Sequence, residues 1–433
     1  MPKTTREPER DTGRGPGLEG LRVLISGASV AGPALAYWLE RYGCGVTVVE
    51  RAAGGLRPGG QAIDVRGPAL DVAERMGALE RLRAHSTALR GMSVVGDDGE
   101  ELYRSTEHTS SGGMLDRPDV ELLRDDLARI LIDAGGPGIA YRNGDSIASL
   151  TDDEDAPAVA VRFESGDEEE YDLVVGADGV HSTTRRLVFG PEEDHLVHLG
   201  NYLAVWTAPN HLGLDRWQTA YRMNAGEQAG DQLWGGMVMP VRDNTELRVY
   251  TGFQSDEPPS RVLAGSAEDH KRLLARRFAD ARWEMPRLLA EMWHAPDFHF
   301  DVLAQIHLDS WSRGRVVLLG DAAFCPSPAS GQGTTLAMVG AYVLAGELRA
   351  AYAAGGDHRA AFRAYERELR EFVAANQQLA LDQLADEQTA EHGGEQDGKR
   401  SGELGGKLET PEALEDLFER VYKVTDAYTL KQY

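Results

Sequence analysis

A chain of 433 residues is too long for one small domain and suits two packed units. Its 42% hydrophobic and 27% charged residues exclude a disordered or fibrous chain and predict a soluble globular protein. Asp and Glu outnumber Lys and Arg 70 to 45, and the resulting net charge of −25 argues against a nucleic-acid partner or an anionic membrane surface.

Residues 1–18 are polar and lack the apolar core of a secretory leader, so a disordered lead-in is expected. An apolar strand, Leu21–Ser26, follows. Next come the string GASVAG (Gly27–Gly32), an apolar helix from about Pro33 to Tyr42 and a second strand, Val46–Glu50. This βαβ unit carries a dinucleotide fingerprint. Gly27 allows the tight turn and Gly32 the close approach of helix to strand. Ser29 stands where glycine is common, yet is small enough to let a pyrophosphate reach the helix N-terminus. Glu50, 18 residues after Gly32, puts a carboxylate where a ribose hydroxyl would donate to it. These residues alone do not separate NAD from FAD.

Gly54–Gly60 is a glycine-rich loop. Pro68–Met76 and Leu79–His85 predict helices. Arg117–Asp133 predicts one amphipathic helix, with Leu122, Leu123, Leu127, Ile130 and Leu131 at helical spacing. Val159–Phe163 and Tyr171–Val175 read as a hairpin and a buried strand. Between about 188 and 300, alternating and aromatic segments such as Tyr202–Thr207 and Leu247–Phe253 predict an antiparallel sheet, interrupted by a helical stretch, Ala267–Met292. Ala322–Gly346 carries no charge but holds two prolines and several small polar residues, which predicts a buried loop and helix and not a membrane span. A last helix is expected over Pro411–Tyr428. Cys44 and Cys325 show neither metal-ligand spacing nor a disulfide framework; a reducing, cytoplasmic setting is expected and no metal site.

Two further strings carry chemistry. DLVVGADGVH (Asp172–His181) ends a buried strand in Asp178 and Gly179. Gly314–Met338 ends another in Gly320 and Asp321, then runs through a proline-containing loop to Gly331, Gln332 and Gly333 at the start of a new helix. Three strand ends bearing Gly and acid exceed what one simple NAD domain needs.

Together these motifs resemble the single-component, class A FAD-dependent aromatic hydroxylases, the para-hydroxybenzoate hydroxylase family. The strings SGASVAGPALAYWLERYG, RPGGQAIDVRG and LDRPDVELLRDDL are similar to the branch holding tetracycline-inactivating monooxygenases and actinobacterial antibiotic-pathway hydroxylases. The likeness spans roughly Leu21–Leu348. It implies a mixed α/β fold: a Rossmann-like FAD-binding domain (19–187 and 301–375), an antiparallel-sheet substrate domain (188–300), and a C-terminal helical region (376–433) with a mobile loop at 391–407.

For the site, the resemblance implies that Gly27, Ser29 and Gly32 surround the FAD pyrophosphate, Glu50 holds the adenosine ribose and Arg51 lies near the adenine. Arg117 would contact the phosphate–ribityl region, and Asp178 with Gly179 would serve FAD and NAD(P)H handling. Asp321 would bind the ribityl hydroxyls, and Gly331, Gln332 and Gly333 would lie beside the pyrimidine end of the flavin. Gln61, Asp64 and Met237 are candidate substrate contacts. Phe324 replaces a histidine common in the family, and Thr334 and Thr335 stand where an asparagine is usual.

The activity implied is monooxygenation. NADPH or NADH reduces FAD, reduced flavin and O₂ give a C4a-hydroperoxide, and oxygen passes to a small aromatic, polyketide-like substrate. No catalytic side chain is singled out. Baeyer–Villiger insertion and a same-fold flavin reductase that never uses O₂ are the alternatives, and the chain would act as a monomer or homodimer.

Overall fold

The computed structural model describes residues 18–56, 59–153, 156–223, 233–392 and 411–433. The expected lead-in lies outside them except Leu18, which is buried in the core. Most of the expected mobile loop also lies outside; its first residues, Glu391 and His392, end the helix His358–His392.

Two sheets organise the chain. The first has six strands in the order Ser312–Arg313, Val316–Leu318, Leu173–Gly176, Arg22–Ser26, Gly45–Glu50, Ile139–Asn143. All neighbours are parallel except the Ser312–Arg313 edge. Val23, Leu24, Ile25, Val174, Val175, Val317 and Leu318 are fully enclosed, as strands covered on both faces must be. Arg22–Ser26 lies between the second strand and Leu173–Gly176, so the chain leaves its carboxyl end at a topological switch point. Ser26 there pairs with both Val49 and Gly176. That geometry brings Gly27, Glu50 and Asp178 to one edge of the sheet. The helices Ala31–Arg41 and Gly333–Ala353 pack against each other beside it. The second is buried on all sides from Thr334 to Leu348, which explains why its sequence is apolar all round. Among the described residues, no helix is long and apolar enough to cross a membrane.

The second sheet has seven strands: His299–Ile306, Leu196–Pro209, Glu246–Gln254, Leu233–Val241, Gln218–Tyr221, Met92–Val95, Glu101–Ser105. Its pairs are antiparallel except Gln218–Tyr221 with Met92–Val95. Period-2 alternation divides its faces. Val238, Leu247, Val249 and Phe253 join Leu274, Met285, Leu288 and Met292 of the covering helices. Met239 and Val241, on the opposite face, meet Leu89, Leu123 and Tyr250.

Four expectations change. Residues 92–105, placed by the sequence in the nucleotide unit, are two strands of the second sheet. The expected helix Arg117–Asp133 divides into a strand, Val120–Leu123, and a helix, Arg124–Ala134. Leu122 and Leu123 fit either period, and pairing with Ala62–Val65 decides for the strand. The stretch Ala267–Met292 is two helices, Ala267–Arg277 and Met285–Met292, parted where Trp283 takes φ +50° ahead of Pro286. The last helix ends at Thr425, before Tyr428.

Candidate cofactor and substrate site

The fingerprint turn is closed by sterics. Gly27 has φ +107°, and its amide donates to Val49 O at 2.8 Å. A Cβ on Gly27 would lie 2.4 Å from Ala177 O, and one on Gly32 1.9 Å from Gly27 O. The first and second motifs therefore meet backbone to backbone at Gly27 and Ala177. Ser29 is half-buried, and the helix starts at Ala31 with no side-chain cap and no acidic residue in its first turn. Glu50 accepts from Ala28 N and Ala52 N, each at 2.9 Å, so its carboxylate sits beside the turn. Arg51 is exposed just beyond it.

The third motif faces this turn. A Cβ on Gly320 would come 3.2 Å from the Ala31 Cβ, and one on Gly333 3.8 Å from Asp321 Oδ1. Gly331 is left-handed at φ +63°, and Gln332 precedes the helix Gly333–Ala353, which also lacks a side-chain cap. Gln332 Nε2 donates to Thr425 Oγ1 at 2.7 Å, while Gln332 Oε1 and Thr335 Oγ1 are buried without hydrogen-bond partners. Water can reach Asp321, yet the surrounding protein desolvates its carboxyl and holds it above the usual carboxylate range, opposed by Arg124. Phe324 faces away, packed on Trp311 with ring centroids 4.6 Å apart.

Asp178 is engaged locally. It accepts from Ser182 Oγ, from Thr184 N at 2.9 Å and from Thr184 Oγ1 at 3.0 Å, which fixes the start of the helix Thr183–Phe189; Ser26 Oγ is 3.4 Å away. Gly179 follows at φ +82°. Arg185 on that helix is fully buried and donates to Ala322 O at 3.1 Å and Val180 O at 2.6 Å, tying the second motif to the third.

Arg117 lies elsewhere. It pairs with Asp426 at 2.8 Å and stacks over Tyr422 at 4.1 Å, on the C-terminal helix Pro411–Thr425 and just past it. The arginine whose charge acts on Asp321 is Arg124, whose amide donates to Gln61 O at 3.1 Å. Sequence reasoning missed it, although a signal exists. Arg124 opens the helix Arg124–Ala134, where a cation opposes the helix dipole and so points to an anion.

Of the candidate substrate contacts, Asp64 is buried on Ala62–Val65 and paired with Arg66 at 2.9 Å. Gln61 lies immediately before that strand. Met237 is half-buried on the second sheet, opposite Ala220 and Tyr250, on the face of Met239 and Val241. The Tyr250 hydroxyl accepts from Ala62 N at 2.7 Å, so this face looks toward the first unit.

Two uncapped helix N-termini, the close-packed glycines Gly27, Gly32 and Gly320, a desolvated carboxylate and one arginine thus converge. The turn offers amides to a pyrophosphate, Asp321 an acceptor to hydroxyls, and the Gly331–Gly333 end amides and an orphaned carbonyl to a polar ring edge. These residues fit FAD.

Comparison with known proteins agrees. A family model described as "FAD binding domain" matches residues 20–380. A flavin-dependent monooxygenase of an unknown prokaryotic organism is 40% identical over 83% of this chain and 88% of its own length. Another, from Legionella longbeachae serogroup 1 (strain NSW150), is 38% identical over 84% of this chain and 88% of its own. The crystal structure of tetracycline destructase Tet(51) superposes with TM-score 0.80 at 31% identity, covering 96% of this chain and 100% of its own. That of Tet(55) superposes with TM-score 0.79 at 35% identity, covering 96% and 99%.

Proposed function

Since the chain belongs to the FAD binding domain family and is a flavin-dependent monooxygenase, we propose that it draws electrons from NADPH or NADH and puts one oxygen atom of O₂ onto a small, aromatic, polyketide-like molecule. The observation that carries this reading is the convergence of two uncapped helix N-termini, at Ala31 and Gly333, on Asp321 and Arg124. FAD, when bound, supplies the electron storage and oxygen activation that no side chain can.

The rest falls to the chain. The amides around Gly27, Ser29 and Gly32 hold the pyrophosphate, Glu50 accepts from the adenosine ribose and Arg51 flanks the adenine. Asp321 accepts from the ribityl hydroxyls. Arg124, in place of Arg117, neutralises the phosphate beside them. Gly331, Gln332 and Gly333 offer amides to the pyrimidine end, where the helix dipole favours the negative charge of the reduced state. Asp178 and Gly179 act through Arg185 as a brace between motifs.

The substrate lies between the flavin end and the sheet face of Met237 and Tyr250, with Gln61 and Asp64 at its edge. The likeness to two tetracycline destructases supports a polycyclic, oxygen-rich substrate. The test is direct. Purified protein is yellow, and its NADPH-dependent O₂ uptake rises with a polycyclic phenol. Colourless protein that cannot be reconstituted with FAD overturns the cofactor placement. Reduction with no substrate-stimulated O₂ uptake identifies a reductase.

A further inference from the structure

A buried group of carboxylates beside the Gly331 loop joins Asp64, at the edge of the proposed substrate space, to Asp119 and Glu121, which have no part in the site described so far. Asp64 and Glu121 are directly opposed across the pair Ala62–Val65 and Val120–Leu123, an unfavourable arrangement for two like charges. Asp119 lies close by, and its side chain is 4% exposed, that of Asp64 8%. Asp64 Oδ1 is buried without a hydrogen-bond partner, Asp119 meets the Tyr422 hydroxyl, and Glu121 is held by the hydroxyls of Thr87 and Ser111. Three carboxylates thus share a buried space with Arg66, which is 2.9 Å from Asp64 and 3.6 Å from Asp119.

The groups facing the cluster from neighbouring elements do not cancel the excess. Arg117 is committed to Asp426, Tyr422 of the C-terminal helix contributes a hydroxyl, and Tyr250 of the second sheet contributes another, already accepting from Ala62 N. Thr87 Oγ1 donates to Glu121 Oε2 at 2.5 Å. Arg66 connects the cluster to the flavin loop, since a Cβ on Gly331 would lie 3.4 Å from Arg66 Nη1.

We propose that the Asp64–Asp119–Glu121 cluster is a proton-accepting site that takes up one proton when the flavin beside Gly331 is reduced. The inference rests on the flavin placement given under Proposed function. Two electrons and one proton go to the flavin ring, leaving it anionic, and a second proton goes to the cluster. An anion arriving next to buried carboxylates raises their affinity for a proton, and Arg66 alone cannot offset it. Burial already pushes Asp64 up to about 7, reinforced by Glu121 and Asp119 and opposed by Arg66; burial also raises Glu121 and Asp119. The charge that reduction adds to the ring is thereby neutralised a short distance from it, without a proton placed on its pyrimidine edge.

The experiment is proton uptake during dithionite reduction of the FAD-loaded protein in weak buffer, read with an indicator dye and corrected for the reductant's own protons. It is paired with the pH dependence of the flavin midpoint potential. Wild type takes up about two protons per electron pair between about pH 7 and 9, Asp64→Asn and Glu121→Gln about one, and Asp64→Glu returns to about two. The midpoint potential of the two amide variants falls correspondingly less steeply with pH. Uptake of about one in wild type, or of about two in both amide variants, overturns the proposal while FAD binding stands. A wild-type protein that retains no FAD overturns the flavin placement and this proposal with it.

Discussion

Arg117 Nη2 lies 2.8 Å from Asp426 Oδ2, joining residues 309 positions apart and fastening the end of the chain to the loop before Val120–Leu123. Both partners are partly exposed, so the ion pair contributes under about 1 kcal/mol. The stack on Tyr422 adds about 0.5–1 kcal/mol. Arg117→Ala therefore lowers hydrogen-exchange protection over the helix Pro411–Thr425 and leaves the protection of the first sheet unchanged. Equal protection in the variant and wild type would show that the contact holds nothing in place.

Arg124 and Arg117 separate in their effect on the cofactor. Arg124 acts on Asp321 and sits against the loop holding Gly60, whereas Arg117 is taken up by the C-terminal helix. Loss of one charge-assisted contact to phosphate costs about 1.5–3 kcal/mol, which is roughly tenfold or more in affinity. Arg124→Ala weakens FAD binding by at least about tenfold, while Arg117→Ala changes it less than about threefold, measured by flavin fluorescence titration. The reverse order would return the cofactor role to Arg117.

The same pair marks how far the sequence could be read. The places of Gly27, Glu50, Asp178 and Asp321 at strand ends were legible because each ends or follows an apolar strand, and strand ends gather where a parallel sheet changes direction. The stretch opening at Arg117 was expected to be one helix because Leu122 and Leu123 suit both a helix and a buried strand. The decision between them is made by Ala62–Val65, more than fifty residues earlier. Residues 92–105 fell within the expected nucleotide unit for the same reason, since Met92–Val95 finds its parallel partner at Gln218–Tyr221. The Asp64–Glu121 pairing was invisible, because no local pattern records which carboxylates a sheet will place opposite each other.

His181 makes stability depend on pH. Its ring is clamped by Asp301 at 3.0 Å and Glu192 at 2.9 Å, whose hydrogen bonds raise it to about 10. The folded value exceeds the unfolded one of about 6.5, so the contribution is complete below about pH 6.5 and is lost as pH rises toward 10. Asp301 and Glu192 are held below their ordinary values by the same contacts, so their share is lost on the acid side. His181 is 43% exposed, and solvent screening keeps the effect modest. His181→Gln accordingly lowers Tm most between about pH 5 and 6.5 and least near pH 10. A Tm difference that is flat across this range would mean the ring carries no bound proton.

The last prediction concerns the chain terminus. A Cβ on Gly346 would lie 2.2 Å from the Tyr433 ring, so the long buried helix leaves room there for the terminal side chain alone. Tyr433 donates to Glu347 at 2.8 Å and packs on Tyr342 at 5.3 Å between centroids, and Lys431 also reaches Glu347. In an open helix, Gly→Ala stabilises by about 1 kcal/mol. Here it must displace Tyr433, which costs about 1–3 kcal/mol and leaves the buried Glu347 short of a donor. Gly346→Ala thus destabilises the full chain in urea unfolding. In a chain lacking Tyr433 the obstruction is gone, and the same substitution stabilises by about 0.5–1 kcal/mol. The change of sign between the two backgrounds is what a ring seated on Gly346 demands. A substitution equally harmful in both would show that the helix is crowded at this point by something other than the terminal tyrosine.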